Sequence, residues 1–152
     1  MEIPDVFSSI AEASVTLAGF AAVFRAFSGA HDPDGYSVAR LYMVIEGSVV
    51  VALLCYLPSW LLGVWDAHEV GWRVGAACGA VWTITRVNAV HLQILFTAPG
   101  RPMLLRLATP IGIVATLFFL ESAAKLSWLS PASAYLAGVI TLFASNAVAF
   151  IA

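Results

Sequence analysis

Five long apolar stretches, separated by short segments rich in glycine, proline and charged residues, make up most of this 152-residue chain. A helix needs about 20 mostly apolar residues to cross the hydrocarbon core of a bilayer. The stretches that meet this length cover residues 6–27, 38–64, 73–96, 103–122 and 131–152. The sequence therefore predicts an all-α fold, with one transmembrane domain built as a bundle of five membrane-spanning helices.

The segment between the last two stretches leaves a second count of spans open. It covers residues 121–133 and has the sequence ESAAKLSWLSPAS. If this segment stayed helical, the fourth and fifth stretches would form one bent or re-entrant unit. The chain would then cross the membrane four times.

The composition favours lipid over water as the surroundings of most of the chain. Hydrophobic residues make up 61% of the sequence and charged residues 11%, whereas soluble domains carry about 25% charged residues. A core of this size cannot hide so much apolar surface from water, but a bilayer can. The net charge of −2 argues against a nucleic-acid partner, which would require a basic patch.

The positive charges near the ends of the stretches predict an orientation. Four of them flank the first and third loops, namely Arg25, Arg40, Arg101 and Arg106. Arg73 and Lys125 flank the second and fourth loops. Because cytoplasmic loops carry the excess of Lys and Arg, the first and third loops are predicted to be cytoplasmic. The N-terminus would then lie outside the cytoplasmic (inner) membrane.

Polar residues at one depth of the second and third stretches predict a buried cluster. The segment VWTITRVNAVHLQ, residues 81–93, places Arg86, Asn88 and His91 inside an apolar run. At 1.5 Å per residue, Arg86 and His91 lie in the same layer as Glu46. We therefore expect an ion pair between Glu46 and Arg86. Further hydrogen bonds would come from Asn88, His91 or Tyr42, which lies one turn before Glu46.

Two interpretations of this cluster remain open at the level of sequence. It is either a structural ion pair that fixes the register of two helices, or the lining of a water-filled path whose charges gate or bind a solute. Haem or metal ligation by His91 is disfavoured, since His31 and His68 fall in loops on opposite sides. No cofactor and no metal are therefore expected.

The first stretch carries a stripe of small and polar residues. Its members follow at i, i+4, i+8 and i+11 on one helical face, and they are Ser8, Glu12, Thr16 and Gly19. Small residues let a neighbouring helix approach closely. No Lys or Arg of the same stretch can pair with Glu12 at helical spacing. Glu12 is interpreted either as a protonated or hydrogen-bonded packing carboxylate or, with Thr16, as an outer cation or proton site.

Small residues also recur in the third and fifth stretches. Gly75 and Gly79 have the spacing of close helix contacts. A second stripe runs along the fifth stretch through Ala134, Gly138, Thr141, Ser145 and Ala149. Such stripes join helices within one subunit or between subunits, so a homo-oligomer is expected.

The segment IAEASVTLAGFAAVF, residues 10–24, resembles the first helix of small bacterial integral membrane proteins of unassigned function. Those proteins share a glutamate, then Thr-Leu, then Gly-Phe. The resemblance covers about fifteen residues. It implies a bacterial membrane and implies no activity.

Three functional hypotheses follow from these patterns. The leading one is an oligomeric channel or transporter for an ion or small solute, cationic by preference. Glu12 would lie at its outer mouth, and Glu46, Arg86 and His91 at its inner constriction. The second is a non-catalytic scaffold or accessory subunit. The third is an enzyme acting on lipid or quinone with Glu46 and His91 as acid and base, although the sequence holds no nucleophile motif, phosphate loop or zinc spacing.

Overall fold

The computed structural model describes residues 3–28, 36–64, 68–88, 103–125 and 129–151. These residues form five helices, and no strand occurs among them. The helices are α1 (Ile3–Ser28), α2 (Tyr36–Val64), α3 (His68–Trp82), α4 (Met103–Ala124) and α5 (Pro131–Ile151), and α3 continues into a π-helical segment, Thr83–Asn88. For the described residues, the prediction of an all-α fold is confirmed, and each of the five predicted stretches contains a helix.

Three of the helices contain segments that are long and apolar enough to cross a membrane. These segments are Asp5–Phe27, Leu41–Leu61 and Pro131–Ile151. A shorter apolar segment, Pro110–Ala124, lies in α4. The predicted third span reaches into residues 89–96, which lie outside the described residues. These segments thus favour a membrane protein. They correspond to the first, second and fifth predicted spans.

A break separates α4 from α5, so residues 121–133 do not form one continuous helix. Whether the two helices cross the membrane separately or form one re-entrant unit stays a prediction. Lys125 ends α4 with a left-handed backbone (φ 55°), and its N–H donates to the carbonyl of Glu121 at 2.9 Å. Ser130 caps the start of α5, because its Oγ accepts the N–H of Ser133 at 3.2 Å. Pro131 fits the first helical position, where no N–H is needed. Capping at both ends therefore separates the two helices.

The N-terminal end of α3 differs from the expectation. The sequence predicted a loop until residue 73, but the helix begins at His68. Glu69 lies in the first turn, where a negative charge interacts favourably with the helix dipole, and its Oε1 lies 3.0 Å from Nζ of Lys125. Arg73 donates from Nε to the carbonyl of Ala123 at 3.0 Å. These contacts hold the start of α3 and the end of α4 at the same end of the bundle.

The helix α5 lies at the centre of the bundle and contacts each of the other four helices. Around it, aromatic rings fill the space between helices. We call four of these residues the aromatic core: Phe7, Trp72, Phe119 and Tyr135. Phe119 and Tyr135 are fully buried. The predicted small residues make room for them, because a Cβ added at either Gly79 or Gly138 would come within 2.9 Å of the Phe119 ring.

A proline inside α2 is compensated by a hydrogen bond from α5. Pro58 has no N–H, so the carbonyl of Leu54 lacks its normal helical donor. The hydroxyl of Tyr135 donates to that carbonyl at 2.6 Å. Since an unpaired carbonyl is costly in an apolar interior, this bond allows the proline to lie in a buried part of α2.

Candidate functional site on the open face of the second helix

One side of α2 remains exposed along most of its length. Its side chains recur at alternating spacings of four and three residues, which places them on a single helical stripe. We call this stripe the open face, and it consists of Tyr42, Glu46, Val49, Leu53, Tyr56 and Trp60. The open face is mostly apolar, but it carries a carboxylate and three aromatic rings.

The structure brings the predicted partners Glu46 and Arg86 together. Nε of Arg86 lies 3.5 Å from Oε1 of Glu46. The two side chains are nevertheless 65% and 48% exposed, respectively. The expectation that this pair turns into the interior of the bundle is therefore wrong for the single chain, and the pair lies on its outer surface.

The other predicted members of this cluster are Tyr42, Asn88 and His91. Tyr42 has a different partner, because the guanidinium carbon of Arg25 lies 3.6 Å from the centre of its ring, in cation–π geometry. The side chain of Asn88 and all of His91 lie outside the described residues. The predicted hydrogen bonds from these two residues to the Glu46–Arg86 pair, and the acid–base pair of Glu46 and His91, thus remain predictions.

Arg86 lies within the π-helical segment that continues α3. Thr83 donates its hydroxyl to the carbonyl of Gly79 at 2.9 Å, and Thr85 donates to that of Val81 at 2.8 Å. Such side-chain bonds compete with the helical backbone pattern. A π-turn holds more residues than an α-turn and is frequent at functional sites. From sequence, a regular α-helix was expected here, and the π-helical segment was missed.

Glu12 and Thr16 line an open groove between α1 and α2. The groove has a volume of about 440 Å³, and it is lined by Ala11, Glu12, Val15, Thr16 and Tyr56. Thr16 uses its hydroxyl hydrogen within α1, since Oγ1 donates to the carbonyl of Glu12 at 2.8 Å. Within the described ranges, no Lys or Arg forms an ion pair with Glu12.

The residue that sequence reasoning missed in this groove is Tyr56. A tyrosine in a run of apolar residues gives no signal of its own. Its position became informative only through its spacing from Glu46 and Tyr42, which places all three on the open face.

The contacts between α1 and α2 define two separate levels on this side of the molecule. Arg25 meets Tyr42, whereas Glu12 shares a groove with Tyr56, so the two helices run antiparallel. Tyr56 follows Glu46 by ten residues, which is about 15 Å along a helix. The structure therefore places Glu12 and Thr16 near one level of the open face and Glu46 with Arg86 near another.

The interior of the bundle, by contrast, holds no charged side chain among the described residues. The buried polar groups there are hydroxyls and one amide: Ser14, Ser48, Thr83, Thr116, Ser122, Ser145 and Asn146. In the described ranges, no group of three or more His, Cys, Asp or Glu side chains could hold a metal ion. The spans thus place their charges on the outside of the chain.

Fold and site together define an all-helical protein with helices that can cross a membrane and with charges on one lateral face. No protein-family model, curated protein or solved structure matches the chain. Function therefore has to be argued from the groove, the ion pair and the open face.

Proposed function

We propose that this protein is an oligomeric conduit, a channel or transporter, for an ion or small solute in a bacterial inner membrane. Cations are the favoured class of solute. One observation carries the proposal. Glu12, Glu46 and Arg86 belong to the apolar helical part of the chain, yet they lie on its outer surface.

In a membrane, the energetic cost of these charged side chains depends on what surrounds them. A charged residue at the centre of a spanning helix costs at least about 2.5–3.5 kcal/mol when it faces hydrocarbon. Such residues therefore turn toward a protein partner or toward water. In a single chain with its open face in lipid, Glu12 does neither, and the Glu46–Arg86 pair remains about half exposed to hydrocarbon. Copies that turn their open faces toward each other enclose these groups and create a polar path between subunits.

The stripes of small residues support the same assembly. The stripes on α3 and α5 are used within the chain, where Gly79 and Gly138 contact the Phe119 ring. The stripe on α1 is not used in this way, because no atom of the described chain lies within 4 Å of a Cβ added at Gly19. A small, uncovered stripe allows a helix of a second copy to approach closely. It lies on the same helix as Glu12.

The two levels of the open face suggest different roles along the conduit. With the N-terminus outside, Glu12 and Thr16 lie toward the outer mouth, where a carboxylate raises the local cation concentration. Glu46 and Arg86 lie about 15 Å further in. There the charge of Glu46 offsets that of Arg86, so the pair forms a constriction that cations can pass. Asn88 and His91 are the proposed further residues of that inner level.

Flux measurements on liposomes test this proposal. The wild-type chain is expected to carry at least one monovalent cation, and Glu12→Gln to lower the flux by at least about threefold, since it removes the attraction at the mouth. Glu69→Gln is the matched control. It removes an exposed carboxylate that pairs with Lys125 outside the open face, and its flux should equal that of the wild type. No flux for any cation, or equal flux in Glu12→Gln, contradicts the proposal.

The mass of the detergent-solubilised complex separates the conduit from the scaffold hypothesis. A conduit formed between copies requires a homogeneous homo-oligomer. A monomer, or a complex with a different chain in fixed ratio, would instead favour an accessory subunit.

A further inference from the structure

The groove between α1 and α2 combines one carboxylate with an apolar and aromatic lining. Of its five lining residues, Ala11 and Val15 are aliphatic, and Tyr56 contributes a ring that is 55% exposed. Glu12 has no ion-pair partner among the described residues. The groove has a volume of about 440 Å³ and is open along its outer side, so a bound molecule would contact the lining from one side only.

This lining is poorly suited to a bare metal cation. Hard cations such as Ca²⁺ take about 6–8 oxygen ligands. The lining side chains with oxygen atoms are Glu12, Thr16 and Tyr56. The remaining walls are apolar, so a dehydrated metal ion would lose most of its hydration shell without replacement.

The same lining is well suited to a cation whose charge is surrounded by carbon. Such a cation has little hydration to lose, and its apolar groups gain from contact with Ala11 and Val15. A cation over the face of an aromatic ring is attracted by the ring quadrupole, as in the recognition of quaternary ammonium groups. A carboxylate within the same groove supplies the counter-charge.

We infer that this groove binds a lipophilic organic cation, a quaternary ammonium or phosphonium, with Glu12 as counter-ion and the Tyr56 ring as contact surface. The inference rests on the proposed function in that the bound cation is the solute of the conduit. It narrows the solute from cations in general to organic cations. Trp60 lies one turn beyond Tyr56 on the open face and is 68% exposed, so it extends the aromatic surface along the path of entry.

Equilibrium binding of radiolabelled tetraphenylphosphonium to the full chain in nanodiscs tests the site. Wild-type protein is expected to show a saturable component above simple partition into lipid. Glu12→Gln should weaken that component at least about tenfold, because a charge contact at low effective dielectric is lost. Tyr56→Leu should weaken it about three- to tenfold through loss of the ring, whereas Tyr56→Phe should bind like the wild type.

Two control variants match these changes outside the groove. Glu69→Gln removes one carboxylate from the end of α3, and Phe20→Leu removes an exposed ring from α1. Both should bind the probe like the wild type. A wild type without saturable binding, or a Glu12→Gln variant that binds equally well, overturns the inference.

Parallel flux measurements with potassium separate failure of the site from failure of the conduit. Potassium flux that depends on Glu12, with no phosphonium binding and no competition by phosphonium, overturns the inference and leaves the conduit in place. Saturable phosphonium binding that depends on Glu12, without movement of any cation across the liposome membrane, supports the site and overturns the conduit.

Discussion

The side of the bundle around Phe119 and the side around Tyr56 follow different packing rules. Around Phe119, glycines from two helices contact a fully buried ring. Around Tyr56, the side chains of the open face remain about half exposed, and Glu12 and the Glu46–Arg86 pair lie among them.

This difference shows which side of the bundle is fully packed within a single chain. The aromatic core needs no partner, since the rings and the small residues that accommodate them come from one chain. The open face exposes charges that are unfavourable in lipid. In a chain of this composition, we interpret the first side as the part that holds the fold and the second as the part that carries function.

Removal of the Phe119 ring is the strongest test of the difference between the two sides of the bundle. Phe119→Ala should lower the free energy of unfolding by about 2–4 kcal/mol, because three packed helices cannot fully close the cavity. Phe20→Ala, at a ring that is 58% exposed on α1, should change it by less than about 0.5 kcal/mol. Unfolding by titration with a denaturing detergent measures both. Equal costs at the two positions would contradict the difference between the two sides.

A pair of glycine substitutions should give effects of opposite sign. Gly138→Ala places a Cβ 2.9 Å from the Phe119 ring. Because the ring also lies close to Gly79 of α3, it has little room to move away, and the substitution should cost about 1–3 kcal/mol. Gly19→Ala meets no atom within 4 Å and should stabilise a monomeric chain by about 0.5–1 kcal/mol through helix propensity. The same unfolding assay, in a detergent that keeps the chain monomeric, compares them. In the assembled oligomer, Gly19→Ala should weaken the association of the subunits. If the substitution instead destabilised the monomer, the stripe on α1 would not be uncovered in the single chain.

A further predicted effect concerns the hydroxyl that compensates for the proline of α2. Tyr135→Phe should cost about 1 kcal/mol, because the carbonyl of Leu54 loses its donor. Pro58→Ala restores a backbone N–H to that carbonyl, so Tyr135→Phe should cost markedly less in that background. A double-mutant cycle of unfolding free energies measures this coupling. Additive costs would show that the hydroxyl bond does not depend on the missing N–H.

The positions of the helices could be predicted from sequence because apolar stretches of about 20 residues alternate with short segments rich in glycine, proline and charge. The start of α5 was readable from Pro131, since proline fits the first turn and cannot continue a preceding helix. The start of α3 was not, because His68 and Glu69 are polar and the span criterion counts only apolar residues. The first turns of a helix need no apolar side chains when charges stabilise them, as Lys125 stabilises Glu69.

Which side of each helix faces inward could not be predicted. Lipid is as apolar as a protein interior, so Leu53 and Trp60 on the open face differ little in type from Val51 and Leu54 in the core. Glu46 and Arg86 were matched by depth alone, and they do lie together. Their exposure on the outer surface depends on how the helices pack, which no periodic pattern in these apolar helices reveals.

The ring of Phe119 links positions 79 and 138, which belong to different helices and lie far apart along the chain. The space available at these three positions is shared, so a gain in volume at one must be matched by a loss at another. Relatives of this chain can therefore replace either glycine only together with a smaller residue at position 119. The three positions should change as a group in evolution, and that covariation would identify the same core in sequences too divergent to align by any other feature.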